Sequence, residues 1–328
     1  MKTIHISHPH SFTRGDLPET VMALGYFDGV HLGHQKVIQT AKDIAELEKR
    51  KTAVMTFYPH PTSVLKKESE PKDVITPIRE KERLIESLGV DILYIVEFTP
   101  IFASLTPQEF VDNYIINLNV KHITAGFDFS FGHMGKGNME NFPSFSRDAV
   151  KSTTVKRLSR DDSKISSTLI RQALKSGDVQ LAAELLGRPH YVKGTVIHGD
   201  KRGRTIGFPT ANTELSDPYI VPPTGVYSVI AELEGKAIKG VCNIGYKPTF
   251  KKERASLPSI EVHLFNFDEM IYGKELTINW MKRIRSEQKF NGINELIEQI
   301  SKDKEQAYED LKRFDEKLPM CKSSERTT

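Results

Sequence analysis

Only two cysteines, Cys242 and Cys321, and a single tryptophan occur in the 328 residues. Two thiols cannot build a disulfide framework, and these two form no close-spaced metal motif. This excludes a disulfide-stapled secreted scaffold and points to a reducing compartment, the cytoplasm. Long apolar runs are missing as well, and the first residues, MKTIHISHPH, lack the apolar core of a signal peptide. Also missing is a charge excess: 46 basic side chains face 43 acidic ones, a net charge of +3. Such a balance gives no argument for a nucleic-acid surface. A soluble chain with small-molecule partners, no nucleic acid and no membrane is expected; its oligomeric state is left open.

What is present is a change of pattern along the chain. From about residue 20 to 160, short β-rich runs alternate with helical stretches. The runs are VMALGYF (21–27), TAVMTFY (52–58), ILYIVEF (92–98), HITAGFDF (122–129) and STTVKRL (152–158). Between the first two, Val37, Ile38, Ala41, Ile44 and Ala45 recur at helical spacing. Thr106-Pro107-Gln108-Glu109 reads as a capping box with proline at the first helical position. Alternation of this kind predicts a parallel sheet covered on both faces. Helices are predicted over 167–175 and 178–186, the second capped by Asp178 and stopped by Gly187. Beyond Tyr191, closely spaced strands broken by Gly and Pro predict an antiparallel barrel or sandwich. The end is helical again, with Ile293, Leu296, Ile297, Ile300, Ala307, Leu311 and Phe314 as its apolar stripe. A boundary near 187–190 gives two domains, 1–186 and 187–328, and the tail CKSSERTT reads as disordered.

The stretch GYFDGVHLGH leaves a predicted strand and enters a helix, so its amides and the helix dipole lie at the carboxyl edge of the sheet, where ligands bind in open α/β folds. Gly25, Gly29 and Gly33 allow close approach of a phosphate. His31 and His34 have three readings: caps of the turn, zinc ligands with His5, His8 or His10, or phosphate contacts. The cluster DSKISSTLIRQAL favours the third, because Ser166, Ser167 and Thr168 start a helix between Lys164 and Arg171, an anion clamp without a Walker motif.

In the second half, GTVIHGDKRGRTIGFPTAN is a basic, glycine-rich stretch able to wrap a triphosphate, with Gly199 in its turn and Lys201, Arg202 or Arg204 meeting the charge. An ordinary barrel hairpin explains it equally well. Thr210 and Asn212 offer neutral oxygens two residues apart, suited to magnesium. In the alternating strand SIEVHLFNF, Glu261 shares a face with His263 and Phe265, opposite Val262 and Leu264. Its carboxylate is either a solvent-side group or a general base, and the pattern alone leaves both open.

Taken in order, GYFDGVHLGHQ, TFYPHP, GFDFSFGHMGKGN and ISSTLIR resemble the adenylyltransferase module of the prokaryotic bifunctional riboflavin kinase/FAD synthetase family. GRTIGFPTAN, GVYSV, GVCNIGYKPTF, SIEVHLFNFDEMIYGKEL and RIRSEQKFNGINELIEQISKD resemble its kinase module. The resemblance covers roughly residues 18–310. It implies a Rossmann-like nucleotidyltransferase domain with a parallel sheet, followed by an antiparallel β-barrel with a C-terminal helix. It implies the phosphorylation of riboflavin to FMN and adenylylation of FMN to FAD, with ATP as co-substrate and Mg²⁺ as cofactor. By the same resemblance His31, His34 and the turn holding Phe27 and Asp28 meet ATP, and Ser166, Ser167, Thr168 and Arg171 close over its phosphates. Pro59, His60 and Asp128 help to form the flavin and nucleotide pockets, Arg285 and Phe290 close over flavin in the kinase half, and Glu261 is the kinase base. The alternatives are a flavin-sensing or RNA-binding regulator that has lost catalysis, and a kinase whose second activity is weak.

Overall fold

Thr20–Leu24 is buried at every position, the pattern of a strand covered on both faces. In the computed structural model, which describes residues 1–65, 74–160, 163–199, 202–245 and 258–312, it is β2 of six parallel strands. The others are β1 (Lys2–Ile6), β3 (Lys51–Tyr58), β4 (Ile92–Glu97), β5 (Val120–Gly126) and β6 (Lys151–Val155), in the spatial order β1-β4-β3-β2-β5-β6. Helices α1 (Leu32–Leu47) and α2 (Ile78–Ser87) follow β2 and β3. The chain runs from β2 to β3 on one side, while β5 pairs with β2 on the other, so a crevice opens beyond their carboxyl ends.

Two expected strands stop early. The runs 21–27 and 122–129 end at Leu24 and Gly126, and the residues beyond become loops, with Phe27 at φ 54° and Val30 at φ 41°. The capping box forms: the Thr106 hydroxyl accepts from the Glu109 N–H at 3.2 Å and the Glu109 carboxylate from the Thr106 N–H at 2.8 Å. The helix it starts, Pro107–Phe110, widens into a π-helix over Val111–Ile116. Strand β1, which the sequence reading does not anticipate, is short and mostly polar and lies at an edge on β4, where no alternation is required.

By contacts the chain divides into two compact units, Met1–Leu169 and Ile170–Thr328. Helix α3 (Ser167–Ser176) spans the division and is followed by α4 (Val179–Leu186), whose first turn is capped by Asp178 accepting from the Leu181 N–H at 2.9 Å. Gly187 ends α4 in the left-handed region at φ 74°.

The second unit holds a closed antiparallel barrel of β7 (His190–Ile197), β8 (Ala211–Leu215), β9 (Gly225–Leu233), β10 (Lys236–Gly245), β11 (Ser259–Leu264) and β12 (Glu275–Arg285), ordered β7-β8-β11-β10-β9-β12. Its interior takes alternate residues, among them Val229 and its partner Trp280, and Cys242 and its partner Val262, all fully buried. Ala307 of α5 (Ile293–Leu311) packs with Val226, Val241 and Phe265. The predicted stripe of α5 needs correction: Ile293 is 60% exposed, whereas Asp303, Ala307 and Leu311 are buried. Asp303 holds its place through an ion pair described below. Phe314, Cys321 and the tail lie outside the described residues.

Candidate active site

Around β2 the local chemistry converges on the turn 25–31. A Cβ at Gly25 would sit 2.8 Å from the Phe27 ring, so only glycine lets that ring fold back under the turn. Asp28, nearly fully buried, accepts from the Ile75 and Thr76 amides at 3.3 and 3.0 Å, and the Ser167 hydroxyl donates to the Asp28 carbonyl at 2.8 Å. Asp28 thus ties the turn, with Gly29 beside it, to the start of α3.

His31 caps α1: its Nδ1 accepts from the His34 N–H at 3.2 Å, which leaves the proton of the neutral ring on Nε2. The two imidazoles stack with centroids 3.5 Å apart, and His34 meets the Phe27 ring edge at 5.2 Å. A Cβ at Gly33 would crowd the His31 ring at 3.0 Å. One helical turn therefore makes the pair a single unit. Among the described residues no group of three or more His, Cys, Asp or Glu could hold a metal, and His8 and His10 instead lie against the Tyr114 ring at 6.0 and 5.0 Å.

His31, His34, Gly25, Phe27 and Gly33 line a cavity of about 1000 Å³, which Lys164, Ser166, Ser167, Thr168 and Asp128 close from other loops. Ser166 accepts from the Leu169 N–H at 3.3 Å, capping α3. Lys164 forms an ion pair with Asp128 and lies 4.7 Å from the Phe127 ring centroid, so a predicted phosphate contact and a predicted flavin contact face each other. Pro59, His60, Asp28, Gly29 and Arg171 are not in the cavity wall; Pro61 is, and the His60 ring supports Tyr26, another wall residue, at 4.2 Å. Arg171 lies on α3, four residues beyond Ser167.

Lys81 was not singled out in the sequence. It is 2% exposed and donates to the Tyr26 carbonyl at 2.8 Å and the Thr56 hydroxyl at 3.3 Å. Burial pushes its ammonium down to about 8, opposed by the Asp28 charge. Its signal was position: on α2 it occupies an apolar-stripe slot between Ile78 and Ile85.

In the barrel, pairing builds one rung from three strands: Asn212 of β8 opposes Glu261 of β11, which opposes Asn243 of β10. Directly opposed residues share a sheet face. Since the next rung, Ala211, Val262 and Cys242, faces the core, Glu261 belongs to the outer face and is half-buried. The Asn212 amide fills the space a Cβ at Gly199 would take, at 2.2 Å. Thr210 precedes β8 by one residue, and His263 Nδ1 donates to the Pro209 carbonyl at 2.8 Å, which fixes that approach. Burial lowers the His263 pKa, keeping the ring neutral. Arg204 is exposed on the turn Arg202–Thr205, and Lys201 lies outside the described residues.

Arg285 is held at the end of β12: its Nη2 and Nε donate to the buried Asp303 carboxylate at 2.7 and 2.9 Å, and its guanidinium lies 5.8 Å from the Phe290 ring centroid. The structure thus brings Arg285 and Phe290 together.

A parallel-sheet domain with a paired-histidine turn, followed by a closed barrel with a carboxylate between two amides, defines a two-part transferase acting on phosphate groups. The FAD synthetase family pattern matches residues 13–169 and the riboflavin kinase pattern residues 186–311. The bifunctional riboflavin kinase/FMN adenylyltransferase of Bacillus subtilis is 59% identical over 307 residues, covering 94% of this chain and 97% of that protein. The protein of the same name from Listeria monocytogenes is 47% identical, covering 93% and 96%. The crystal structure of a protein described as a macrolide-efflux protein from Streptococcus pneumoniae superposes with a TM-score of 0.84 at 35% identity, covering 95% of this chain and 99% of that one. The chain belongs to the bifunctional riboflavin kinase/FMN adenylyltransferase family: it is a transferase of flavin cofactor biosynthesis, making FMN and then FAD. Among the described residues no helix is long and apolar enough to cross a membrane.

Proposed function

We propose that the two reactions are divided between the halves, with FMN adenylyl transfer in residues 1–186 and riboflavin phosphorylation in residues 187–328. The observation that carries this is the presence of two separate sites of different chemistry: stacked imidazoles at a sheet edge, and a carboxylate between two amides on a barrel wall.

In the kinase half, Glu261 takes the proton from the riboflavin 5′-hydroxyl as its oxygen attacks the γ-phosphorus of ATP; the bond to the β-phosphate oxygen breaks and ADP leaves. Phosphoryl transfer requires mainly positioning and charge neutralisation. The flap around Gly199 and Arg204 supplies backbone and charge to the triphosphate, and Arg285 and Phe290 cover the flavin. Asn212, opposite Glu261, and Thr210, one residue before β8, offer only oxygens, a donor chemistry that fits a hard cation. Bound there, Mg²⁺ would supply neutralisation of phosphate charge.

In the adenylyltransferase half, an FMN phosphate oxygen attacks the α-phosphorus of a second ATP and pyrophosphate leaves. The nucleophile is already ionised, so no protein base is needed. His31 and His34 donate to the leaving group's oxygens, Lys164, Ser166, Ser167 and Thr168 hold its outer charge with Arg171 set back from the wall on α3, and Asp128 borders the flavin. The cytoplasm, with its free ATP and riboflavin, is the compartment this reading expects.

The test is reciprocal. His34→Ala in the full-length protein is expected to slow FAD formation from supplied FMN by about 10²- to 10³-fold, the scale of one lost transition-state donor, with kinase turnover retained. Glu261→Gln is expected to do the opposite, by about 10²- to 10⁴-fold, the scale of general-base catalysis. Parallel loss of both activities in either variant refutes the division.

A further inference from the structure

We infer that Lys81 is a positioning residue for adenylyl transfer: its buried ammonium fixes the peptide that opens the phosphate turn and keeps beneath it a positive charge that has no ion-pair partner among the described residues. This deepens the reading of the histidine turn as the nucleotide site and rests on it.

Two independent features carry the inference. The first is the clamp. The Tyr26 carbonyl accepts from two donors, the Lys81 ammonium at 2.8 Å and the Thr56 hydroxyl at 2.8 Å, and the ammonium lies 4.1 Å from the centroid of the Tyr26 ring. A trans peptide carries its C=O and N–H in opposite directions. Holding the Tyr26 carbonyl toward Lys81 therefore turns the Phe27 N–H away from it and sets the plane from which the chain enters its left-handed turn at Phe27, φ 54°. Tyr26, Phe27 and the histidines that follow all line the cavity.

The second is the charge. Every hydrogen-bond partner of Lys81 among the described residues is a neutral oxygen, and no carboxylate lies within ion-pair distance of it. The nearest acid, Asp28, acts at longer range and is itself engaged by two amides. A buried ammonium is costly unless it is paired, and a stability role alone is served better by an apolar side chain of similar size. A polyanion arriving in the cavity supplies the missing opposite charge across a low-dielectric wall. Nucleotide binding must then favour the protonated lysine, and deprotonation must weaken nucleotide binding by the same factor.

The groups facing the ammonium are Asp28 and Tyr26 from the turn and Thr56 from β3, and the His60 ring meets the Tyr26 ring edge-on at 4.2 Å.

The experiment uses the full-length protein with ¹³C-labelled lysine side chains and α,β-methylene-ATP as the probe. Lys81, assigned by its disappearance in Lys81→Met, is expected to titrate near 8 in the free protein, and its midpoint is expected to rise by about one pH unit or more with the nucleotide bound. In steady state, kcat/KM for ATP in FAD formation is expected to fall above that midpoint by a total factor set by the shift, about tenfold for a shift of one unit. Lys81→Met is expected to lose this step and to raise KM for ATP at pH 7, while kinase turnover is kept. A nucleotide that shifts the His31 and His34 signals but leaves the Lys81 midpoint in place overturns the inference and spares the site. A nucleotide that shifts neither overturns the site reading itself. If Lys81→Met does not fold, the wild-type midpoint with and without nucleotide decides alone, with assignment by Lys81→Arg.

Discussion

Gly199→Ala is a sharp probe of the kinase site because it adds one methyl group and removes none of the proposed chemistry. A Cβ at 199 would lie 2.2 Å from Asn212 Nδ2, 2.4 Å from Cγ and 2.6 Å from Oδ1, three atoms of the same amide. Carbon contacts are ordinarily about 3.5 Å or more, so the amide must retreat by roughly 1.3 Å or the flap must lift by that amount. Asn212 is only 8% exposed and stands opposite Glu261, so it has little room to yield without displacing the carboxylate or the cation-binding oxygen. Misplacement of about 1 Å at a reacting centre costs about 10²-fold in rate. The assay is ADP release with riboflavin, run beside FAD formation from supplied FMN in the same preparation. Kinase turnover is expected to fall by about two orders of magnitude, with the Mg²⁺ concentration for half-maximal rate raised, while FAD formation stays within twofold of wild type. Unchanged kinase turnover would refute both the placement of the Asn212 amide and its use in catalysis.

Asp303→Ala removes the buried partner of a partly exposed guanidinium, which is expected to destabilise the barrel by about 1.5–3 kcal/mol, the scale of hydrogen bonds to a charged group; fluorescence of Trp280, the sole tryptophan and a barrel-interior residue, follows that unfolding specifically. An unaltered urea midpoint would mean that the pair contributes nothing. Lys81 gives a pH dependence: below about 8 the ammonium is charged in folded and unfolded chains alike and the fold bears the desolvation cost. Between about 8 and 10.5 only the unfolded chain keeps the proton, so stability of the first unit rises with pH, by about 3 kcal/mol in all. Hydrogen exchange of β2 and β3, compared with Lys81→Met at each pH, measures this, and parallel pH slopes would count against it. The Cys242 thiol is fully buried and burial pushes its pKa up, so iodoacetamide at pH 8 is expected to leave it unmodified until the barrel unfolds, as read by mass spectrometry.

Much of the architecture is legible in the sequence because the apolar residues carry periodicity. β2, β3 and β4 are continuous apolar runs, and Asp178 and Gly187 bracket α4 with specific backbone chemistry. What escapes is set by tertiary context. β1 is polar because an edge strand has less to bury, and Ala211–Leu215 carries a polar pattern because Asn212 lies on the outer face, opposite Glu261. The early end of β2 comes with a left-handed turn at Phe27, Gly29 and Val30 that a pattern of side chains does not encode. The sequence sets the HLGH pair at a strand-to-helix turn, but the stacking of its rings and the Nδ1 cap require the helix to be built first. Lys81 reads as a surface lysine until the turn above it is in place.

The alternation in β11 has a consequence for how such a barrel can vary. Glu261 and Val262 are adjacent in sequence and face opposite sides, one toward the outer wall, where the proposed kinase base would stand, and the other toward a fully buried interior. A single inserted or deleted residue between the strand's start and Glu261 would exchange them, burying the carboxylate and exposing the valine. In a closed ring of strands there is no free edge along which the neighbours could slip to absorb the shift. The strand therefore behaves like a reading frame: its letters can be substituted one at a time, but its length upstream of Glu261 can change only in steps of two.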